Sequence, residues 1–175
     1  MRIFFYPEQA LRTATTPVNK PSKKIKSLVD NMFESMYEAG GIGLAAPQVG
    51  ESIRVFIVGI PVKDSDRYDE YVFINPSIVC KKGKKVEMEE GCLSFPGIHG
   101  RVLRPECVDI RYMNMKGKII SDEYNGLLAR VVQHEYDHLN GILFIDKMLK
   151  ADKKIVAKDL KKLEIGGEPV KAVAM

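Results

Sequence analysis

The sequence predicts an α+β fold with a single domain. β-type runs fill the middle of the chain, one helical pattern precedes them, and a second helical pattern follows them. Helices and strands therefore do not alternate as they would in a βαβ protein with a parallel sheet. At 175 residues the chain is long enough to bury a substantial core as one domain.

The first helix is predicted to run from Ser22 to about Ala39. Ser22 is a favourable N-cap because its hydroxyl can accept a hydrogen bond from a backbone N–H of the first turn. Gly40 and Gly41 would end the helix. Its apolar residues recur at spacings of one, three and four, which places them on one face: Ile25, Leu28, Val29, Met32 and Met36.

The strand region contains six β-type runs: 53–60, 71–74, 78–80, 85–88, 107–113 and 118–121. We expect Asn75 and Pro76 to end the second run, because proline cannot donate to a strand ladder. Residues 82–84 are expected to form a turn that joins the third and fourth runs as a pair. Residues 114–117 are expected to form the turn between the last two runs.

The most informative stretch is the motif QHEYDH, which contains His134 and His138. Histidines four apart stack on one face of a helix, so both rings can reach one metal ion. Leu127 and Val131 continue this face as an apolar stripe. Glu135 lies just off the face, where it could act as the general base for a metal-bound water. The alternative is that both histidines are core residues satisfied by hydrogen bonds, although the chain has only three histidines and two lie here.

A catalytic metal on such a helix needs a third protein ligand and one open position for water. One class of zinc proteases takes a histidine further along, but Phe144 occupies that position. A second class takes a downstream glutamate, for which Glu164 and Glu168 are poor candidates among lysines and glycines. These two sources of a third ligand are therefore disfavoured.

Cys92 is the better candidate for the third ligand. A thiolate is a strong ligand for a borderline metal, and the neighbouring Gly91 permits close backbone approach. Cys80 and Cys107 lie inside β-type runs, and we interpret them as small buried hydrophobic residues. The odd number of cysteines, three, favours a reduced cytoplasmic setting over a disulfide framework.

Composition excludes several other classes. Hydrophobic residues make up 45% of the chain and charged residues 29%, as in ordinary globular proteins. No apolar run approaches the roughly 20 residues of a membrane span, and the first residues do not resemble a signal peptide. The net charge of +4 is too small to indicate specific DNA binding. We therefore expect a cytoplasmic protein with no membrane partner, with a processed organellar form as the alternative.

Three stretches together resemble the signature motifs of the peptide deformylases. They are Gly41–Gln48, with the sequence GIGLAAPQ, Glu90–Ser94, with the sequence EGCLS, and the QHEYDH motif. They occur in the order of that family and at similar spacing, and the resemblance covers about residues 3–148. It implies one catalytic domain over 1–148, followed by a basic C-terminal helix or tail over 149–175.

The resemblance implies a fold in which mixed or antiparallel β-sheets surround the metal-binding helix. It also implies removal of the formyl group from formyl-methionyl nascent polypeptides, with formate as product and metal-bound hydroxide as nucleophile. The metal is usually Fe²⁺ in this family, and Zn²⁺, Ni²⁺ or Co²⁺ can replace it. By motif, the metal ligands are Cys92, His134 and His138. The general acid and base is Glu135, and the oxyanion is stabilised by the Gln48 amide and the Leu93 N–H.

The same resemblance implies a slot for the methionine side chain beside the helix. The residues expected to contact the substrate are Ile42, Gly43, Gly91, Leu127, Arg130 and Val131. We also hypothesise that Glu90 and Arg104 form an ion pair that holds the cysteine loop. His99 stands at a position of the slot rim where some family members have arginine, which leaves its role open.

Residues 152–163 are expected to form a basic helix, and 168–175 an extended tail. Ribosome contact by this region is a possibility that the resemblance raises. Two other functions stay open at this point. A small aminopeptidase would need a downstream carboxylate ligand in place of Cys92, and a structural metal or ribosome-binding module would need a fourth protein ligand, for which His99 is the only remaining histidine.

Overall fold

A computed structural model describes residues 1–166, and its five strands form one antiparallel sheet in the order β1-β2-β3-β4-β5. The strands are β1 (Gly43–Ala45), β2 (Val55–Pro61), β3 (Tyr68–Gly91), β4 (His99–Met113) and β5 (Ile119–Asn125). The helices are α1 (Lys23–Glu38), α2 (Gly126–His138), α3 (Phe144–Lys147), α4 (Lys150–Ile155) and α5 (Ala157–Glu164). The predicted α+β class is therefore confirmed.

Helix α1 forms as the sequence predicts. The Ser22 hydroxyl accepts a hydrogen bond from the Ile25 N–H at 3.3 Å and so satisfies one of the free donors of the first turn. The five apolar residues predicted to share a face are all buried. They pack against β1 and β2 through Leu44, Val55 and Ile57, which fixes the loop after α1 beside the sheet.

Strand β3 is longer than predicted, and two predicted interruptions are wrong. The strand continues past Asn75 and Pro76, where the register with β4 shifts between Ile74 and Ser77. Proline is tolerated there because a bulge needs no ladder donor at that position. The second interruption, 82–84, is also a register shift within β3 and not a turn.

Gly83 explains why that second error arose. It has φ of +74°, a conformation that suits a tight turn and a bulge equally well. Both halves of β3 therefore pair with β4 instead of with each other. The turn predicted at 114–117 is confirmed, since the Asn114 side chain accepts hydrogen bonds from the N–H groups of Lys116 and Lys118.

Helix α2 lies against the sheet and carries the histidine motif. Its buried residues Ala129 and Val132 pack with Phe56 and Phe73 of the sheet and with Val108 of β4. Because one face of α2 is held by this core, the adjoining face presents its polar residues to the loops that follow β1 and β3. The core between α2 and the sheet thus positions the motif.

The C-terminal region described by the structure packs on the rest of the chain. The predicted single helix over 152–163 is two helices, α4 and α5, separated at Val156. Leu160 and Leu163 are buried in a cluster with Leu11 and Phe144. The predicted tail over 168–175 lies outside the described residues. Within residues 1–166, no helix has both the length and the apolar character needed to cross a membrane.

The interpretation of the two strand cysteines is only partly supported. Cys80 is exposed, so its assignment as a buried hydrophobic residue is wrong. Cys107 is partly buried, and burial together with the nearby Glu123 carboxylate raises the pKa of its thiol.

Candidate active site

The loop that carries Cys92 begins where β3 ends, at Gly91. The Phe95 N–H donates to the Cys92 carbonyl at 2.8 Å and closes a tight turn with Leu93 and Ser94 at its centre. This closing bond does not use the Leu93 N–H. The Phe95 ring is buried and stacks on Tyr6 at a centroid distance of 4.9 Å, so a packed aromatic group anchors the turn that presents Cys92.

The three predicted metal ligands converge. One ligand atom from each of Cys92, His134 and His138 lies within 4.8 Å of the other two. The Cys92 Sγ is 3.3 Å from His138 Nε2, close to the separation of about 3.5 Å that two ligands of a tetrahedral zinc or similar ion adopt. His134 and His138 are one turn apart on α2, with ring centroids at 5.0 Å.

A buried ion pair holds the first histidine. Arg104 donates to both oxygens of Glu90, from Nε at 2.6 Å and from Nη2 at 2.9 Å, so the hypothesised Glu90–Arg104 pair is confirmed. His134 Nδ1 lies 2.9 Å from Glu90 Oε2. Burial would raise the pKa of Glu90, but the bonds from Arg104 and His134 outweigh it and hold that pKa far below its usual value. An ionised Glu90 fixes the His134 tautomer with Nδ1 protonated, so Nε2 is turned to the site.

The donor set fits a divalent metal ion. Burial alone would lower the pKa of both histidines. For His134 the bonds to Cys92 and Glu90 outweigh burial and raise the pKa to about 10. For His138 the pKa stays well below its usual value. A ligand imidazole must give up any proton on its ligating nitrogen, so we expect metal binding at this site to compete with protons. Thiolate sulfur and imidazole nitrogen are ligands preferred by Zn²⁺ and Fe²⁺.

Glu135 is buried, at 4% exposure, and directly follows the proposed ligand His134 on α2. Burial raises the pKa of its carboxyl to about 7, with His134 and Arg104 opposing the shift. Within the described residues its Oε2 has no hydrogen-bond partner. A carboxyl that titrates near neutral pH and has a free oxygen can both accept and return a proton.

Gln48 is oriented toward the same centre by its own backbone. It lies in a short 3-10 helix, Ala46–Val49, and its Oε1 accepts from the Ala45 N–H at 2.8 Å. This bond leaves the amide Nε2 facing Ser94 Oγ at 3.1 Å and Cys92 Sγ at 3.5 Å. Gln48 therefore presents N–H donors, not its carbonyl, to the ligand cluster.

Two of the six predicted substrate-contacting residues directly adjoin this centre. A Cβ on Gly43 would lie 2.4 Å from Glu135 Oε1 and 2.7 Å from Val131 Cγ1, so the strand β1 passes directly over them. Gly91 immediately precedes Cys92, and its Cα faces the His99 ring. Leu127 is exposed one turn before Val131, and Ile42 precedes Gly43 on the strand edge.

Arg130 lies on the neighbouring flank of α2. It lines a cavity of about 240 Å³ together with residues of β3, β4 and the start of α2: Val86, Met88, Pro105, Glu106, Asn125 and Gly126. Its guanidinium donates to Glu90 Oε1 and to two backbone carbonyls. Its predicted role as a substrate contact stays a prediction, and its visible role is in the Glu90 network.

Comparison with known proteins decides the family. A family model described as polypeptide deformylase matches residues 1–154. The chain belongs to the polypeptide deformylase family. It is 43% identical over 165 residues to the peptide deformylase of Chlorobium luteolum, covering 94% of this chain and 86% of that relative. It is also 43% identical over 148 residues to the enzyme of Treponema pallidum strain Nichols, covering 85% of this chain and 88% of the relative.

Solved structures of the deformylase family have the same fold. A crystal structure of the Plasmodium falciparum peptide deformylase matches with a TM-score of 0.90 at 43% identity, covering 94% of this chain and 96% of that one. The Synechococcus elongatus peptide deformylase in complex with actinonin matches with a TM-score of 0.86 at 34% identity, covering 97% and 92% of the two chains. The recognition of a deformylase from its three motifs is therefore confirmed, as is its assignment as an enzyme.

Sequence reasoning missed several supporting residues of this deformylase site. Ser94 is fully buried, and its hydroxyl accepts a hydrogen bond from the Gln48 amide. Asp137 receives bonds from Arg104 and Lys147, each at 2.6 Å, and so neutralises the cation behind Glu90. Asp137 sits within the histidine motif on the buried flank of α2, and a buried acid beside two ligands was a signal that could have been read.

The N-terminal arm was also missed as a support of the site. The Phe4 N–H donates to the Gln48 carbonyl at 2.7 Å, and the Tyr6 N–H donates to the Ser94 carbonyl at 3.0 Å. The arm thus joins the two loops that carry the amide donor and the cysteine. The sequence does not mark these bonds, because they are made by backbone groups of an irregular segment and not by particular side chains.

Proposed function

We propose that this chain is a metal-dependent hydrolase that removes the formyl group from formyl-methionyl nascent polypeptides and releases formate. The observation that carries the proposal is the convergence of Cys92, His134 and His138 next to a buried Glu135 whose pKa is about 7. Membership of the deformylase family supports it independently.

Cys92, His134 and His138 would hold the metal ion through one sulfur and two nitrogens. Bound there, a divalent ion would supply a Lewis acid that makes water a nucleophile at neutral pH. Three protein ligands leave a position open for that water, as catalytic sites require. The Glu90 bond to His134 would keep that ring in the ligating tautomer throughout turnover.

Glu135 would move the proton. Its carboxylate accepts a proton from the attacking water and returns it to the amine that leaves. A pKa near 7 serves both steps, because the group is neither too weak a base nor too weak an acid at neutral pH. The unpartnered Oε2 is the oxygen available for this transfer.

Gln48 and Leu93 would stabilise the charge on the formyl oxygen. The Gln48 Nε2 donor already faces the ligand cluster, and the Leu93 N–H is not used by the turn that contains it. Donors fixed before the reaction cost no reorganisation when charge develops, so each can contribute a factor of about 10²–10³ in rate.

The substrate chain would lie along β1, with the methionine side chain beside α2. Ile42 and Gly43 are at the edge of the sheet, because β1 pairs only with β2 in the described sheet. Gly43 lets the backbone of β1 lie directly against Glu135, because a Cβ at this position would be 2.4 Å from Oε1. Leu127, Val131, Gly91 and Arg130 would border the side-chain slot.

Fe²⁺ is the ion we propose for the cell, with Zn²⁺, Ni²⁺ or Co²⁺ as possible replacements, and the cytoplasm as the site of action. Formylated nascent chains are the proposed partners. A ribosome contact would involve the basic helices α4 and α5, whose lysines are exposed: Lys150, Lys153, Lys154, Lys158, Lys161 and Lys162.

The aminopeptidase alternative loses support from the structure. Glu164 accepts a hydrogen bond from the Tyr6 hydroxyl at 2.8 Å and is not in the ligand cluster, and Glu168 lies outside the described residues. A closed structural site is also disfavoured, since His99 packs on Gly91 and does not join the three ligand atoms found within residues 1–166.

The test is formate release from a formyl-Met tripeptide by protein loaded anaerobically with Fe²⁺ or Ni²⁺, beside the same peptide without the formyl group. We expect formate from the first and no cleavage of the second. Cys92→Ala, which removes the proposed sulfur ligand, should lose both metal and activity. Cleavage of the unformylated peptide, or full metal retention by Cys92→Ala, would contradict the proposal.

A further inference from the structure

We infer that Arg130 is a positioning residue for the metal centre, acting through Glu90 on the ligand His134. This inference rests on the metal site proposed above. It assigns to Arg130 a role in holding the ligand set, in addition to any contact that its stem makes in the cavity beside α2.

The Arg130 guanidinium is buried and bonded on three sides. Its Nη1 donates to Glu90 Oε1 at 2.9 Å and to the Val102 carbonyl at 3.0 Å, and its Nη2 donates to the Val86 carbonyl at 2.6 Å. Arg130 is 6% exposed and Glu90 also 6%. A buried cation of this kind is stable only with a counter-charge and satisfied donors, and Glu90 is that counter-charge.

The two Glu90 oxygens have different partners. Oε1 accepts from Arg104 and Arg130, whereas Oε2 accepts from Arg104 and faces His134 Nδ1. Arg104 is shared with Asp137, so Arg130 is the one arginine among these partners whose only carboxylate in the described structure is Glu90. It therefore fixes Oε1 and leaves Oε2 directed at the histidine.

Arg130 also ties together the elements that bring Glu90 to His134. Val86 and Glu90 lie four residues apart on β3, and Val102 lies on the paired strand β4. Since Arg130 is on α2, one turn before His134, its bonds to both strands set the distance between Glu90 and the helix. A lysine could not reproduce this, because a single ammonium lacks the planar fork that reaches three acceptors.

The cavity beside α2 is a further reason to expect that Arg130 supports the metal centre. Arg130 lines this cavity of about 240 Å³, whereas Glu90, to which its guanidinium donates, does not. A shorter or apolar side chain would open Glu90 to water from the cavity. Water would compete with His134 for the carboxylate and loosen the ring that must face the metal.

The test compares Co²⁺ affinity of apoproteins by chelator competition, with the visible spectrum of bound Co²⁺ as a report on ligand geometry. Near-ultraviolet circular dichroism first establishes that each apoprotein is folded. We expect Arg130→Met to weaken Co²⁺ binding about 10- to 100-fold and to change the spectrum, with Arg130→Lys intermediate. The matched control is Arg101→Met on β4, which removes an arginine that bonds Asp152 and Glu87 and does not touch Glu90; its affinity should equal that of the wild type.

A second arm establishes that Arg130 acts through Glu90. In a Glu90→Gln background, Arg130→Met should weaken Co²⁺ binding much less than in the wild type, because effects on one chain of contacts are not additive. Co²⁺ affinity of Arg130→Met within twofold of the wild type would overturn the inference. If Arg130→Met does not fold, the same result for Arg130→Lys would overturn it. A wild type that takes up no Co²⁺ would instead overturn the metal site on which the inference rests.

Discussion

Gly43 of strand β1 lies so close to Glu135 of helix α2 that a Cβ at position 43 would be 2.4 Å from the carboxylate oxygen Oε1. No real contact of this kind is that short, so either the carboxylate or the strand would have to move. The strand edge proposed to bind the peptide and the group proposed to transfer the proton are thus in direct contact. The position of the Glu135 carboxylate therefore depends on the absence of a side chain at position 43.

Gly43→Ala should therefore lower activity strongly while leaving the fold intact. A displacement of about 1 Å at a reacting group can cost about 10²-fold in rate, and we expect a loss of kcat/KM of this order. The control is Val79→Ala on β3, at a residue that is 69% exposed and outside the ligand cluster. Steady-state kinetics of both variants check this, and equal activity of the two would contradict the account.

Gln48→Leu should reduce kcat by about 10²–10³-fold with little change in Co²⁺ affinity. The amide Nε2 faces the ligand cluster, whereas no atom of Gln48 belongs to the metal ligand set. The measurement is kcat beside the Co²⁺ dissociation constant of the same variant. An unchanged kcat would exclude Gln48 as the oxyanion donor, and a lost metal would assign it a structural role instead.

Much of this site could be predicted because its chemistry lies in short local patterns. The i, i+4 spacing of His134 and His138 fixes their geometry once a helix is assumed, and the assumption follows from the apolar stripe. The prediction of Cys92 as a ligand required the elimination of other candidates and the family resemblance, because a lone cysteine has no periodicity. Its convergence with the histidines depends on where β3 ends, which the local sequence does not specify.

The errors have a common physical cause. Gly83 and Pro76 are compatible with turns and with bulges, and the choice between them depends on whether β4 is available to pair. The bonds of Arg130 could not be predicted for a related reason. Its guanidinium donates to a buried carboxylate, Glu90, forty residues away in the sequence, and non-local charge pairing of this kind leaves no periodic signal.

Glu135→Gln should change how the stability of the apoprotein depends on pH. The pKa of Glu135 is about 7 in the folded chain, above its ordinary value of 4.5. A group whose pKa is raised on folding stabilises the folded state at pH values below its pKa in the unfolded chain. This contribution is lost as the pH rises through its pKa in the folded chain. Glutamine does not ionise, so the variant avoids that loss.

The free energy of unfolding of Glu135→Gln minus that of the wild type should therefore increase between about pH 5 and pH 8. For a group this buried the increase is at most about 3 kcal/mol. Urea unfolding of both apoproteins across this range measures it. A difference that stays constant with pH would mean that Glu135 is not held in a desolvated site.

Leu160→Ala should destabilise the protein by about 2–3 kcal/mol. Leu160 is 8% exposed and packs with Leu11 and Phe144, so helix α5 shares the core of the catalytic part. The control is Ile155→Ala, at a residue 77% exposed, which should be within about 0.5 kcal/mol of the wild type. Urea unfolding checks both, and a neutral Leu160→Ala would mean that α5 is only loosely attached.

The most direct test of the central claim is a paired measurement on Glu135→Gln: bound Co²⁺ and formate released from a formyl-Met tripeptide. If the metal is held by Cys92, His134 and His138 while Glu135 transfers the proton, the variant should bind Co²⁺ like the wild type. Its rate of formate release should fall by about 10²–10⁴-fold. A variant that binds Co²⁺ and releases formate at the wild-type rate would contradict the account.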